Sequence, residues 1–325
     1  SSPSLCVSPS FKQTTGNIIN ENPKNIPGFP NANVYNAIDV CPALYERCCT
    51  DSTLGLPKQG DYVVFNSTGL PSWDEVQQGG IGDCVMDSLL AVYAYKNPQR
   101  LKNSIIKDTE FDHVYYIKLY YKTVDKPFFV RISARLPLDI VGDGAYDYFH
   151  KDASGRPIIW SHLISKAYMI MTNRFGTDFM FWNLFPNDQG YNTMDGVGQE
   201  NSQRAILGTN NFSFTLNPDS SKFNDPTYIF QCGLKSKITT TQRYVISTST
   251  GCVCIYNGSV LENIILPAHA YSIFGISGTT VTIRNPWGEC ILREGTQSIR
   301  YIGGLVDIPL SDFMYLFVTW YSILS

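Results

Sequence analysis

The chain has 325 residues, 43% of them hydrophobic, enough for two ordinary domains or one large one with a divided core. Only 16% of residues are charged and the net charge is -3, with no basic run, which argues against a nucleic-acid surface. No apolar run reaches the length of a membrane span; the stretch 313–324 is too short and carries Tyr315, Thr319, Trp320 and Tyr321.

Residues 1–55 read as an irregular N-terminal extension, rich in breakers such as Pro23, Pro27, Gly28 and Pro30. Such a segment is expected to drape over the body as a surface clasp. A short strand follows at 62–65. Then comes Gln78-Gly79-Gly80-Ile81-Gly82-Asp83-Cys84, a glycine loop that delivers a lone thiol to the first turn of an apolar helix, 84–96. Asp83 is positioned to cap that helix with its carboxylate. The helix dipole favours a thiolate at Cys84. The helix ends before Asn97-Pro98, because proline disfavours helix in the residue before it.

The β-rich runs 114–121 and 128–138 read as a hairpin, with Asp125-Lys126-Pro127 in the connection. Residues 159–169 have apolar side chains at three- and four-residue intervals and read as an amphipathic helix. Residues 183–202 read as loop. From 226 onward short strands alternate with turns: 228–232, 244–247, 253–256, 270–276 and 280–284. The expected division is a helical half, 56–205, that carries the thiol, and a β-sheet half, 206–325, with a cleft between them.

A nucleophilic thiol needs a base. Of the four histidines, His113, His150 and His162 read as ordinary surface or core residues. His269 lies among small residues at the mouth of a strand, and the adjacent strand ends at Asn285. Asn285 can accept from one imidazole N–H and aim the other ring nitrogen at the thiol. Trp287 can shield that hydrogen bond from water. Gln78 can supply a side-chain N–H to an oxyanion beside the Cys84 N–H.

The cysteines are Cys6, Cys41, Cys48, Cys49, Cys84, Cys232, Cys252, Cys254 and Cys290. Eight in bridges would leave one as the nucleophile. Glycosylation acceptors at Asn66, Asn211 and Asn257 point the same way. The expected location is therefore secreted or lumenal, with a cytoplasmic protein as the alternative; Ser1 opens no signal peptide.

The blocks 78–84, 268–272 and 284–289, in that order, resemble the active-site blocks of the calpain family of papain-like cysteine proteases. The helix from Trp160 to Tyr168 and the segment 307–313 resemble the family as well. The resemblance covers about residues 55–325. It implies a papain-like α+β fold of two lobes and a cysteine endopeptidase acting on protein or peptide substrates. In it Cys84 is the nucleophile, His269 the base and acid, Asn285 the orienting residue, Gln78 the oxyanion donor and Trp287 the shield.

Val85 stands where the family has tryptophan. The family core also binds calcium through acids in both halves. Here Glu75 stands near the first-half position, Ile158 or Ile159 replaces its partner, and Ile291, Gly303 and Leu305 stand at second-half positions. The expectation is no cofactor and no calcium switch. A protease-fold protein with a binding or structural role, and acyl transfer to an amine, are the competing readings.

Overall fold

In the computed structural model the described residues are 24–38, 53–121, 124–175, 191, 194, 199–208, 212–215, 217–234, 244–247, 253–257, 260–262, 269–294 and 297–323. The organising element is the helix α1, Cys84–Lys96. Every residue from Cys84 to Ala94 is buried, so this helix is enclosed by other elements on all sides.

On one side lies a four-stranded sheet of β1 (Val34–Asn36), β2 (Ile105–Lys107), β3 (Val114–Tyr121) and β4 (Val124–Ser133), in the order β1-β4-β3-β2. The helix α2, Trp160–Phe175, and the helix α3, Gln199–Leu207, belong to the same apolar core as α1. On the other side lies an antiparallel six-stranded sheet: β5 (Phe212–Thr215), β6 (Tyr228–Leu234), β7 (Ala270–Ser277), β8 (Thr280–Arg284), β9 (Leu305–Pro309) and β10 (Phe317–Ile323). Its order is β9-β8-β7-β6-β10-β5. A second core of Phe223, Phe230, Tyr271, Ile283, Phe313 and their neighbours covers the face of this sheet turned away from α1. Ile229 and Phe274 belong instead to the core around α1, so the helix packs directly on the sheet.

The expected hairpin 114–138 forms, but its details differ. Asp125, Lys126 and Pro127 lie within β4, with Pro127 opposite Tyr120. Proline is tolerated there because pairing of β4 with β1 starts only at Phe129, so no second ladder needs its N–H. The half expected to be helical with one hairpin carries a full sheet, because three-residue strands extend that hairpin on both sides. Residues 62–65 make no strand; Val63 forms a single bridge to Ile158 where the chain enters α2. Gln199–Ser202, expected as loop, is the first turn of α3, supported by the Glu200–Arg204 ion pair one turn apart at 2.9 Å.

Of the N-terminal extension, residues 24–33 lie on the outside of the four-stranded sheet, Val34–Asn36 is its edge strand, and Ala37 reaches the core around α1. Ile26, Ala32 and Val34 pack on Tyr116 and Phe129 there, away from Cys84. Val34–Asn36 adds to β4 in parallel. The rest of the extension up to residue 52 lies outside the described residues. Cys232 is a buried thiol in the second core, so the expectation that every cysteine but one is bridged fails at this position. The side chains of the other bridge candidates lie outside the described set. Asn66, one glycosylation acceptor, donates from its side-chain amide to Glu75. Among the described residues no helix is long and apolar enough to cross a membrane.

Candidate active site

β7 and β8 are neighbours in an antiparallel ladder, with Ser272 opposite Arg284. His269 immediately precedes β7 and Asn285 immediately follows β8, so the hairpin brings the two residues to the same end of the sheet. The ladder then fixes the pair. His269 Nε2–H donates to Asn285 Oδ1 at 2.8 Å, and both residues are buried. The Trp287 backbone N–H also donates to Asn285 Oδ1, at 3.1 Å, which identifies that atom as the oxygen of the amide. Nδ1 is therefore the ring nitrogen left for chemistry.

The imidazole is held on two further sides. Tyr271 meets it edge-on at 5.0 Å between ring centres, and Trp287 lies tilted at 5.2 Å. Trp287 remains partly exposed, so it covers the His–Asn pair on the outer side only. Burial lowers the His269 pKa, and the bond to Asn285 opposes that shift.

Cys84 begins α1 and packs with Val85 and Ala270, the residue that follows His269. The thiol is thus seated against the strand that starts at the imidazole. Three contacts lock α1 in this position. Gln231 Nε2 donates to the Val85 carbonyl at 2.8 Å and to Ser88 Oγ at 2.7 Å. Ser272 Oγ donates to the Ser88 carbonyl at 2.5 Å. At the other end of the helix, Lys96 Nζ donates to the Phe223 and Tyr228 carbonyls, each at 2.8 Å.

The glycine loop before Cys84 is joined to the Asn285 loop. The Gln78 N–H donates to the Pro286 carbonyl at 2.9 Å. Arg284, fully buried, donates from Nη2 to the Val76 carbonyl at 2.6 Å and from Nε to the Gly303 carbonyl at 3.1 Å. Its guanidinium also lies over the Trp73 ring. Gly79 is required here, since a Cβ at that position would stand 2.1 Å from the Tyr146 carbonyl oxygen. The Gln78 side chain uses one of its two amide hydrogens on the Ile81 carbonyl at 2.6 Å, which orients the other.

Asp83 does not cap α1 with its side chain, contrary to expectation. Its carboxylate turns instead toward Asp147 and Asp87. One oxygen from each of these three residues lies within 4.8 Å of the other two. Burial raises the pKa of Asp83 and Asp87 well above the ordinary carboxylate range, and raises that of Asp147.

Glu75 stands near the first-half calcium position that the family resemblance implies. Glu75 is buried and accepts from Trp160 Nε1 at 2.7 Å, from the Ser72 N–H at 3.0 Å and from Asn66 Nδ2. These donors occupy the carboxylate, and Ile158 and Ile159 beside it are buried apolar residues.

His113 and His162 have roles outside the candidate triad. His113 Nδ1 bonds the Tyr62 hydroxyl at 2.8 Å, and His162 Nε2 donates to the Asp147 carbonyl at 3.1 Å. His150 is exposed. Sequence reasoning missed Gln231, Ser272 and Asp147 as supports of the site, and read Arg284 only as part of a block. Asp87 did leave a signal, as an acid within the apolar run of α1.

The model of the family described as calpain family cysteine protease matches residues 63–296. No curated protein matches the chain.

Proposed function

Because the chain belongs to the calpain family of cysteine proteases, we propose that it is an endopeptidase in which Cys84, His269 and Asn285 form the catalytic triad between two lobes. The observation that carries this reading is the His269–Asn285 bond at 2.8 Å, placed beside the strand on which Cys84 packs.

In this reading the imidazolium–thiolate pair forms between His269 Nδ1 and Cys84 Sγ. The thiolate adds to the peptide carbonyl carbon and the carbonyl π electrons move to oxygen. The Cys84 N–H and the second amide hydrogen of Gln78 receive the oxyanion. His269 gives its proton to the leaving amine as the C–N bond breaks, leaving an acyl-enzyme. Water, deprotonated by the same nitrogen, then releases the acid and restores the thiol. Asn285 acts through His269 by holding the ring at Nε2.

This reading takes the reaction to need no cofactor and no calcium switch, and the three protein donors to the Glu75 carboxylate support it. Protein and peptide chains are the substrates, and a secreted or lumenal location remains the accompanying proposal.

The test is labelling with an electrophilic peptide, together with digestion of a peptide library. Wild type is labelled at Cys84 and cleaves the library; Cys84→Ala does neither. Labelling at another cysteine would refute the assignment. Raising free calcium from chelated to millimolar levels during the assay should leave the rate unchanged.

A further inference from the structure

We propose that Asp83, Asp87 and Asp147 are positioning residues that fasten the nucleophile loop to α1 through two shared protons, so that acid favours the assembled active site. The inference rests on the triad reading for its consequence at Cys84. Asp83 precedes Cys84 and Asp87 stands four positions on, so both project from one face at the start of α1. Asp147 is brought to them by a loop whose backbone bridges Gln78. One oxygen from each residue lies within 4.8 Å of the other two, and Asp83 and Asp87 are each 1% exposed.

The orphaned oxygens identify what joins the three acids. Asp83 Oδ1, Asp87 Oδ2 and Asp147 Oδ1 are buried and receive no N–H or hydroxyl hydrogen. Side-chain hydrogen bonds nevertheless link Asp147 to Asp83 and to Asp87. Two ionised carboxylates can only accept, so each of these bonds requires a proton on one of its partners. Asp147 also accepts from the Gly79 N–H. The arrangement that satisfies all three residues puts the protons on Asp83 and Asp87 and makes ionised Asp147 their common acceptor.

Charge balance gives the same number of protons. The groups that face the cluster are Arg284 at the end of β8, toward Asp87, and Cys84, beside Asp83. His162 on α2 faces Asp147, with Asp143 on its other side, and the Tyr191 hydroxyl faces Asp147 and Asp83. Burial favours neutral His162 and keeps Tyr191 a phenol. Three carboxylates would therefore leave two buried negative charges beyond the single guanidinium. With two protons the cluster carries one charge, which Arg284 balances. Burial, and the nearness of Asp147, hold the protons on Asp83 and Asp87 against release.

Two consequences reach the chemistry. Asp147 ties Gly79, and with it the Gln78 backbone, to the start of α1, which sets the oxyanion donor relative to the nucleophile. A neutral Asp83 next to Cys84 leaves the thiolate unopposed, whereas a carboxylate there would raise the thiol's pKa. Release of the protons puts like charges in contact and drives the loop from the helix.

The test reads protonation and stability as well as thiol reactivity. In wild type labelled isotopically at aspartate, the infrared spectrum should show a protonated carboxyl band at neutral pH. Asp83→Asn/Asp87→Asn should abolish it, since asparagine keeps a donor toward Asp147 but cannot ionise. Ordinary aspartates in the unfolded chain release their protons near a pKa of about 3.9, while the folded chain retains two. Wild type should therefore lose stability relative to that variant as pH rises from about 5 to about 8. The folded-to-unfolded ratio should fall by up to about tenfold per pH unit for each proton. Asp83→Ala/Asp87→Ala, which loses both donors, should slow labelling of Cys84 by an electrophilic peptide roughly tenfold, and the asparagine pair should restore most of that rate. Absence of the protonated band in wild type overturns the proposal, as does a stability difference that stays constant over this pH range. Equal loss of labelling in the asparagine and alanine pairs overturns it too. If the alanine pair fails to fold, or if failure of the triad reading leaves Cys84 unreactive in wild type, the infrared band and the pH slope decide.

Discussion

Gln231, in the middle of β6, reaches Ser88 on α1 with a hydrogen bond of 2.7 Å across 143 positions of sequence. The same amide nitrogen holds the Val85 carbonyl, and its oxygen accepts from Gln203 on α3. One buried side chain thus joins the nucleophile's helix, the six-stranded sheet and a second helix.

Replacing Gln231 with leucine leaves the Gln203 amide without its acceptor in the interior and takes a donor from both the Val85 carbonyl and Ser88 Oγ. The expected cost is about 2–4 kcal/mol, measured as a fall in the urea midpoint. Labelling of Cys84 by an electrophilic peptide should slow in parallel, since the first turn of α1 loses its anchor. Unchanged stability would show that water replaces the amide without loss.

Arg284→Met removes two donors from the contact between the glycine loop and the Asn285 loop. The Val76 and Gly303 carbonyls lose their partners, at an expected cost of about 2–4 kcal/mol in chemical unfolding. Arg284→Lys should recover only part of this, because an ammonium cannot reproduce the spread of the guanidinium. Full recovery by lysine would mean that charge alone matters at this position.

Asn285→Ala should lower kcat roughly tenfold to hundredfold, part of the contribution that a well-oriented acid–base group makes. It also predicts a direction in pH. The Asn285 bond raises the His269 pKa against the lowering effect of burial. Without it the imidazolium loses its proton at lower pH. Attack requires the imidazolium–thiolate pair, so the alkaline limb of kcat/KM should move to lower pH. A limb that stays in place or moves upward would separate Asn285 from the imidazole's titration.

Lys166 gives a stability prediction remote from the chemistry. Burial brings its pKa down from 10.5 to about 7, although Nζ donates to the Ser133 and Arg135 carbonyls. Between those two values the unfolded chain binds a proton that the folded chain has released. The folded state therefore gains stability as pH rises through this window, by up to about 1.4 kcal/mol per pH unit. Lys166→Met abolishes that gain, so wild type should improve relative to the variant from pH 7 to 10 in urea melts. A constant difference would contradict it.

The helix α1, the hairpin β3–β4 and the strands that hold His269 and Asn285 were legible because each has enough residues to display a period. The strands Val34–Asn36 and Ile105–Lys107 were not, since three residues carry no period and are made strands by the neighbour they join. Asp83 looked like a helix cap because a cap is the nearest use for a carboxylate in that position. Its actual neighbour, Asp147, lies 64 numbers away, and only the folded chain brings the two together. The same holds for Gln231, a polar residue in a strand whose partner no local pattern can name.

The helix α1 is fastened to the six-stranded sheet at both ends, by Gln231 and Ser272 near its start and by Lys96 at its finish. A rod held at two points cannot tilt about either one. A regulator that acts by wedging the halves of this molecule apart would have to release both fastenings together, and partial opening would leave the thiol where it is. Control by graded hinge movement is therefore poorly suited to this chain.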